Sequence, residues 1–264
     1  MITVDEFIRK QEDEKKEGIR LNKYIAQQGL ASRRGADKLI EEGAVKINGN
    51  PVKLGQKFFP ETDELEIDKK ILEKKEEEKR YFVLHKPRGY VTSTKKTEFE
   101  QDTVMDLFPM YQKNFARIYP IGRLDKDSSG LLLFTNDGDF AFRLTHPKYE
   151  HSKVYVIEIW NPLTDEMLDQ LERPFVMLGG KTRRAEIEQI GMYQLKITLR
   201  EGKNQQIRRM IRAIGSGVKT LKRVKVEDFS LPENLEIGEY RELSKKDIQK
   251  YFSNVLSYEG EGEE

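Results

Sequence analysis

Between residues 81 and 226 seven runs read as β-strands, and they do not alternate with helices in a regular strand–helix–strand rhythm. The runs are YFVLHK (81–86), GYVTST (89–94), GLLLFTN (130–136), KVYVIEIW (153–160), RAEIEQI (184–190), YQLKITLR (193–200) and VKTLKRVKV (218–226). Helical periodicity is confined to about 138–145, 164–172, 203–214 and 244–256. A parallel, doubly wound sheet needs a crossover helix between successive strands. Too few helices are available here, so the chain is expected to be α+β, with a mixed and largely antiparallel sheet.

A smaller module precedes this region. LNKYIAQQG places Leu21, Tyr24 and Ile25 at helical spacing and stops at Gly29. Ser32 is a candidate N-cap for a second helix, RRGADKLIEEG, with Ala36, Leu39 and Ile40 on one face. Gly35 stands where a capping box would need Glu or Gln, so that box is incomplete. AVKINGNPV then alternates as a strand into the turn signal Asn48-Gly49, and DELEID adds another short strand. Two helices and a small sheet are thus expected within 19–67. The remaining boundaries follow from composition: a charged arm at 1–18, a linker at 68–80 containing EKKEEEKR, a larger domain at 81–252, and an acidic tail at 253–264.

Composition narrows the chemistry. The 264 residues include no cysteine, which excludes disulfides, thiolate metal sites and a catalytic thiol, and suits a reducing cytoplasm. With three histidines (His85, His146 and His151), a multi-histidine metal centre is not expected. No apolar run reaches the roughly 18 residues of a membrane helix, and the N-terminus lacks the apolar stretch of a secretory signal.

Net charge is +1, but it is distributed in blocks. From Arg20 to Lys57 eight bases face three acids, with Arg20, Lys23, Arg33, Arg34 and Lys38 as candidate RNA contacts. From Lys203 to Lys225 there are eight bases and no acid. In its helical part Ile207, Met210, Ile211 and Ile214 mark a buried face, leaving Arg209 and Arg212 to point outward. A one-signed block of this size in a near-neutral chain fits a polyanion, above all a nucleic acid. A solvated helix face is the plainer alternative, although such faces usually mix signs.

GRLDKDSSGLLLFTNDGDF (122–140) holds the candidate for chemistry. Asp125 stands on a polar loop just ahead of the buried strand at 131–134, where a carboxylate can be held rigidly as nucleophile or base. The plain alternative is an Asx-rich turn. DKDSSG imitates half a calcium loop, but Asn136 occupies the position of the required bidentate Glu. GGKT (179–182) lacks the earlier Gly of a phosphate loop, where Phe175 stands instead. Tyr155 can serve as core, as a surface on which a base stacks, or as a proton acceptor in a pocket. Trp160 ends the same strand as core or rim. His146 and His151 read as loop surface or RNA contacts.

Taken together and in order, GRLDKDSSGLLLFTNDGD, LHKPRGYVTS, KVYVIEI and REGKNQQIRRM resemble the motifs of the RsuA/RluB/RluE/RluF family of ribosomal RNA pseudouridine synthases, and the 19–67 module resembles the S4 RNA-binding domain that precedes their catalytic domain. The resemblance covers about 19–245. It implies that Asp125 is the catalytic aspartate, that Tyr155 packs on the target base, and that Arg208 pairs with the catalytic carboxylate. Arg123 would fill the gap left by a flipped nucleotide, Ile207 would adjoin the pocket, and Lys203, Arg209 and Arg212 would contact RNA. No cofactor and no metal are implied. The expected partner is ribosomal RNA, with no membrane, and the chain is expected to be a cytoplasmic monomer. KNQ before QIRRM and Ser128-Ser129 depart from the commoner pattern and bear on the site modified; the former leans towards the large subunit. The competing reading is a catalytically silent S4 protein in ribosome assembly, and a third has tRNA as substrate.

Overall fold

The computed structural model describes residues 18–68, 70–71, 78–99, 102–108, 117–177 and 180–257. Almost all of the expected arm, the centre of the expected linker and the end of the expected tail lie outside them.

The N-terminal module comprises β1 (Ile19–Arg20), α1 (Leu21–Gln27), α2 (Arg33–Glu41), β2 (Val45–Ile47), β3 (Asn50–Pro51), β4 (Lys57–Phe58), β5 (Leu65–Ile67) and β6 (Lys70–Ile71). Ser32 caps α2 by accepting from the Gly35 amide at 3.0 Å, and Gly35 completes no box, as its lack of a side-chain acceptor requires. Asn48 and Gly49 both take positive φ, 51° and 77°, the hairpin geometry their sequence favours. Strands run β3-β2-β5-β6, with β1 paired separately to β4. Leu21, Tyr24, Ile25, Ala36, Ile40, Val45 and Phe58 form the module's core, and the Tyr24 and Phe58 rings lie 4.4 Å apart.

The larger region contains β7 (Tyr81–Lys86), β8 (Tyr119–Ile121), β9 (Ser129–Thr135), α3 (Gly138–Thr145), β10 (Lys153–Ile159), α4 (Asp165–Glu172), β11 (Val176–Met177), β12 (Gly180–Lys181), β13 (Glu186–Gln189), β14 (Gln194–Leu199), α5 (Gln206–Ala213), β15 (Val218–Val226), β16 (Phe229–Ser230), β17 (Tyr240–Leu243), α6 (Lys245–Tyr251) and α7 (Ser253–Ser257). Its sheet runs β13-β14-β10-β15-β9-β7-β17, with β8 added on β9 and β16 on β15. Every pair is antiparallel except β9 with β15. An α+β class with a largely antiparallel sheet is therefore what forms.

That single parallel contact is tight. Ser129 and Gly130 lie opposite Lys222 and Arg223. Gly130 has φ +106°, and a Cβ there would come within 2.2 Å of the Arg223 carbonyl oxygen. Only glycine allows the Asp125 loop to enter β9 against β15.

Two cores sandwich the sheet's β7–β9 end: Tyr81, Leu131, Leu133, Phe140, Ile248 and Phe252 on one side, and Phe82, Leu84, Phe108, Leu132 and Phe134 on the other. At the β10–β14 end, Ile157, Ile159, Leu195 and Ile197 pack against Ile207, Met210 and Ile211 of α5 and Ile214 at its C-cap. Those four positions are the expected buried face.

Several expectations are corrected. GYVTST is not a strand, and Val91 makes only an isolated bridge to Thr103. Gly89 has φ +92° and its amide donates to the Lys126 carbonyl at 2.9 Å, the Val91 amide donates to the Asp102 carbonyl at 2.9 Å, and Ser93 bonds Lys95 through its hydroxyl, so loop contacts replace a ladder. The helix expected over 244–256 is two helices, interrupted at Phe252 with φ −130° and ψ 25°. The boundary at 67 is passed by β6, which pairs with β5. The boundary at 252 is passed by Val255 and Leu256, which are fully buried beside Phe252. Of the two places expected for Trp160, core or rim, it takes the rim: it is 64% exposed, with the Lys219 ammonium 5.8 Å from its ring centroid.

Candidate active site

The loop Gly122–Ser128 leaves β8 and enters β9. Leu124 is buried and anchors it, and the Thr92 hydroxyl donates to the Leu124 carbonyl at 2.6 Å while accepting its amide at 3.2 Å. The loop then folds back as a turn, with the Ser128 amide donating to the Asp125 carbonyl at 3.0 Å. Inside that turn sits Lys86, the last residue of β7 and completely buried. Its ammonium donates to the carbonyls of Pro87 (3.0 Å), Asp125 (3.2 Å), Lys126 (3.4 Å) and Ser128 (2.9 Å). The buried cation is thus spent on backbone, and it fixes the loop that carries Asp125.

Sequence reasoning missed Lys86. A lysine ending the otherwise apolar run YFVLHK, followed by Pro87, was the available signal, since a buried amine needs acceptors nearby.

Burial pushes the Lys86 pKa down from 10.5 to about 8, partly offset by Asp125 and Asp127 and reinforced by Arg223. Between those two values the unfolded chain holds more protons than the folded one, so this group's contribution to stability rises with pH. The loop responds in the opposite sense, because a neutral amine has one N–H fewer for four carbonyls. We therefore expect the single-turnover rate to fall several-fold above about pH 8, with no matching loss of thermal stability. A rate that stays flat to pH 10 would contradict this.

Asp125, Tyr155 and Arg208 line one hollow of about 470 Å³, together with Arg123, Lys203 and Ile207. Three separate elements supply them: the β8–β9 loop, strand β10, and the first turn of α5. Gln205, held left-handed at φ 49°, turns the chain into α5 and sets Ile207 and Arg208 at the wall. Six guanidinium or ammonium groups line the hollow (Arg123, Lys153, Arg200, Lys203, Arg208 and Arg223) against three carboxylates (Asp125, Glu150 and Glu201), so its field favours an anion.

Arg208 does not make the expected ion pair with Asp125. Its Nη2 donates to the Asp127 carbonyl at 3.0 Å and lies 3.5 Å from the Ser128 hydroxyl. Among the described residues, no hydrogen bond or ion pair reaches the Asp125 carboxylate. The guanidinium therefore braces the loop backbone two residues further on, leaving the carboxylate open to the hollow.

Two more cations line the hollow: Arg223, counted from sequence only within the basic block, and Lys153, which sequence reasoning missed. Arg223 is buried, donates from Nε to the Leu131 carbonyl at 2.7 Å, and sits opposite Tyr155 in the sheet. Lys153 donates to the His151 carbonyl at 3.0 Å, and burial, with Arg223 adding to it, lowers its pKa to about 8 despite Glu227. Arg223 lies in the basic run VKTLKRVKV, and Lys153 opens the apolar strand KVYVIEIW, so neither is marked as internal by its neighbours in sequence.

The eight bases of 203–225 do not form one surface. Arg209 reaches Asn204, Arg212 is exposed at the last turn of α5, Lys219 pairs with Glu158, Lys225 lies 3.7 Å from Asp228, and Arg223 is internal. In the N-terminal module Arg20, Arg33 and Arg34 are exposed, and Lys38 is exposed but faces Glu42 at 3.5 Å. Lys23 instead pairs with Asp139 of α3 at 2.7 Å, so it links the module to the larger region.

An open carboxylate and a tyrosine in a cation-lined hollow, on an antiparallel α+β scaffold beside a small basic module, define an enzyme that handles a nucleotide within a nucleic acid. The family model described as RNA pseudouridylate synthase matches residues 80–213, and the S4 domain model matches residues 19–61. The ribosomal large subunit pseudouridine synthase B of Bacillus subtilis is 43% identical over 239 residues, covering 88% of this chain and 94% of that protein. The dual-specificity RNA pseudouridine synthase RluF of Escherichia coli K12 is 34% identical, covering 90% and 79%. A crystal structure of a pseudouridylate synthase superposes with a TM-score of 0.64 at 34% identity, covering 88% of this chain and 99% of that one. The chain belongs to the RNA pseudouridylate synthase family and carries an N-terminal S4 domain.

Proposed function

We propose that this enzyme converts one uridine of ribosomal RNA, in the large subunit, to pseudouridine. The convergence of Asp125, Tyr155 and Arg208 on one hollow carries this reading. The 43% identity to a large-subunit synthase supports the choice of ribosomal RNA over tRNA, and an intact carboxylate site weighs against a silent assembly factor.

The reaction breaks the N1–C1′ bond and makes a C5–C1′ bond, with no net gain or loss of atoms or electrons. The Asp125 carboxylate serves as nucleophile at C1′ or C6, or takes a sugar proton to give a glycal. Tyr155 packs on the uracil and stands ready to accept the C5 proton. Arg208 acts by holding the loop rather than by neutralising the carboxylate. Extruding the uridine costs a few kcal/mol, which Arg123 offsets by entering the gap. Arg20, Arg33, Arg34, Lys38, Arg209 and Arg212 supply phosphate contacts, and Ile207 walls the pocket.

The protein acts in the cytoplasm as a monomer, without a cofactor. No helix among the described residues is long and apolar enough to cross a membrane. Carbodiimide-adduct mapping by primer extension on ribosomal RNA from cells lacking the protein should show one large-subunit stop missing, restored by adding the purified enzyme to that RNA. An unchanged map would overturn the proposal.

A further inference from the structure

α3 links the two halves of the molecule. Asp139 in its first turn holds Lys23 of the S4 domain, and Thr145 and His146 at its end line the hollow. Eight residues at 1.5 Å each make it roughly 12 Å long. Its inward positions, Phe140, Arg143 and Leu144, are buried. Asp139, Phe142 and His146 follow at spacings of three and four and share the outward face.

On that face Phe142 is 40% exposed, an apolar ring in water beside a polyanion site. It is the outer member of an aromatic group. The Phe142 and His146 rings are 4.8 Å apart, and Tyr149 lies 6.4 Å from Phe142 and 6.2 Å from His146. The group is held in place locally: His146 Nδ1 accepts the Lys148 amide at 3.3 Å to cap the turn Pro147–Tyr149. The exposed Lys148 ammonium sits 4.8 Å from the Tyr149 ring centroid. Glu150, the nearby acid on this rim, is already paired with Arg183.

An exposed ring, packed against two others of which one carries an ammonium over its face, is suited to receive the face of a nucleobase, because every base offers a π-surface and its phosphate can meet the cation. A protein partner would meet no comparable reason for the lysine over the tyrosine. We propose that Phe142, His146 and Tyr149 form a stacking platform for an unpaired RNA base next to the uridine drawn into the hollow. On α3 it stands between the Lys23–Asp139 contact with the S4 domain and the Thr145–His146 edge of the hollow. This rests on the RNA-modifying function proposed above.

The test uses the full chain with Asp125→Asn, which removes turnover, and the shortest transcript the unaltered enzyme modifies. Affinity is read by fluorescence anisotropy at several salt concentrations. In that parent, Phe142→Leu keeps an apolar side chain but no ring. It should weaken binding about tenfold, and Tyr149→Phe should bind as the parent does. The slope of log affinity against log salt should stay constant in both, since stacking releases no counterions, whereas Arg212→Ala should reduce it by about one. Unchanged affinity in Phe142→Leu, with the parent binding normally, defeats the platform alone. A parent that binds no RNA defeats the functional reading and the platform together.

Discussion

Asp125→Asn is expected to lower pseudouridine formation by at least about 10³-fold while leaving RNA affinity and thermal stability near those of the unaltered enzyme. The carboxamide is isosteric and keeps the backbone carbonyl that Lys86 grips, so the loop stays in place. Among the described residues nothing bonds the carboxylate, so the exchange leaves no buried partner unsatisfied. Only the negative charge and nucleophilicity are lost, and all three chemical routes depend on them. Tritium release from 5-tritiated uridine in RNA measures the loss directly. Retained release would remove Asp125 from the chemistry and leave a binding site without its reactive group.

Gly130→Ala is expected to be as damaging to the fold as Asp125→Asn is to turnover. The added methyl would stand 2.2 Å from the Arg223 oxygen and 2.7 Å from its nitrogen, both of them backbone atoms in a central strand. Backbone of a paired strand cannot rotate aside as a side chain does. The φ of +106° adds strain for any L side chain. Relief requires parting β9 from β15, which separates the Asp125 loop from Tyr155 and Arg223. We expect a loss of at least about 3 kcal/mol, seen as a fall in denaturation midpoint together with lost activity. A variant that melts normally and turns over normally would show that the parallel contact tolerates a wider spacing.

Much of the architecture was legible because its causes are local. Ser32, Asn48-Gly49 and the Ile207–Ile214 periodicity act within a few residues, through caps, turn geometry and one helix face. The class of fold followed from the shortage of crossover helices. GYVTST failed as a strand because the Gly89 and Val91 amides go to the carbonyls of Lys126 and Asp102 and the Ser93 hydroxyl turns back on Lys95, none of which an alternating pattern registers. The assignment of Arg208 to the Asp125 carboxylate failed for another reason: residue type and order indicate nearness, but not which of several acceptors on one loop is reached.

By itself, then, the sequence determined the two-part organisation, the class of the sheet and the positions fit for chemistry, since periodicity, capping and charge are written within short spans. Only the tertiary structure decided that Lys86 would be spent on four carbonyls, that Arg223 would be internal, that Lys23 would join Asp139, and that Phe142 would remain in solvent beside the hollow. Each of these depends on the pairing of segments far apart in the chain. A charged side chain meets solvent, backbone or an opposite charge according to how those segments pack, and its immediate neighbours in sequence carry no record of that choice.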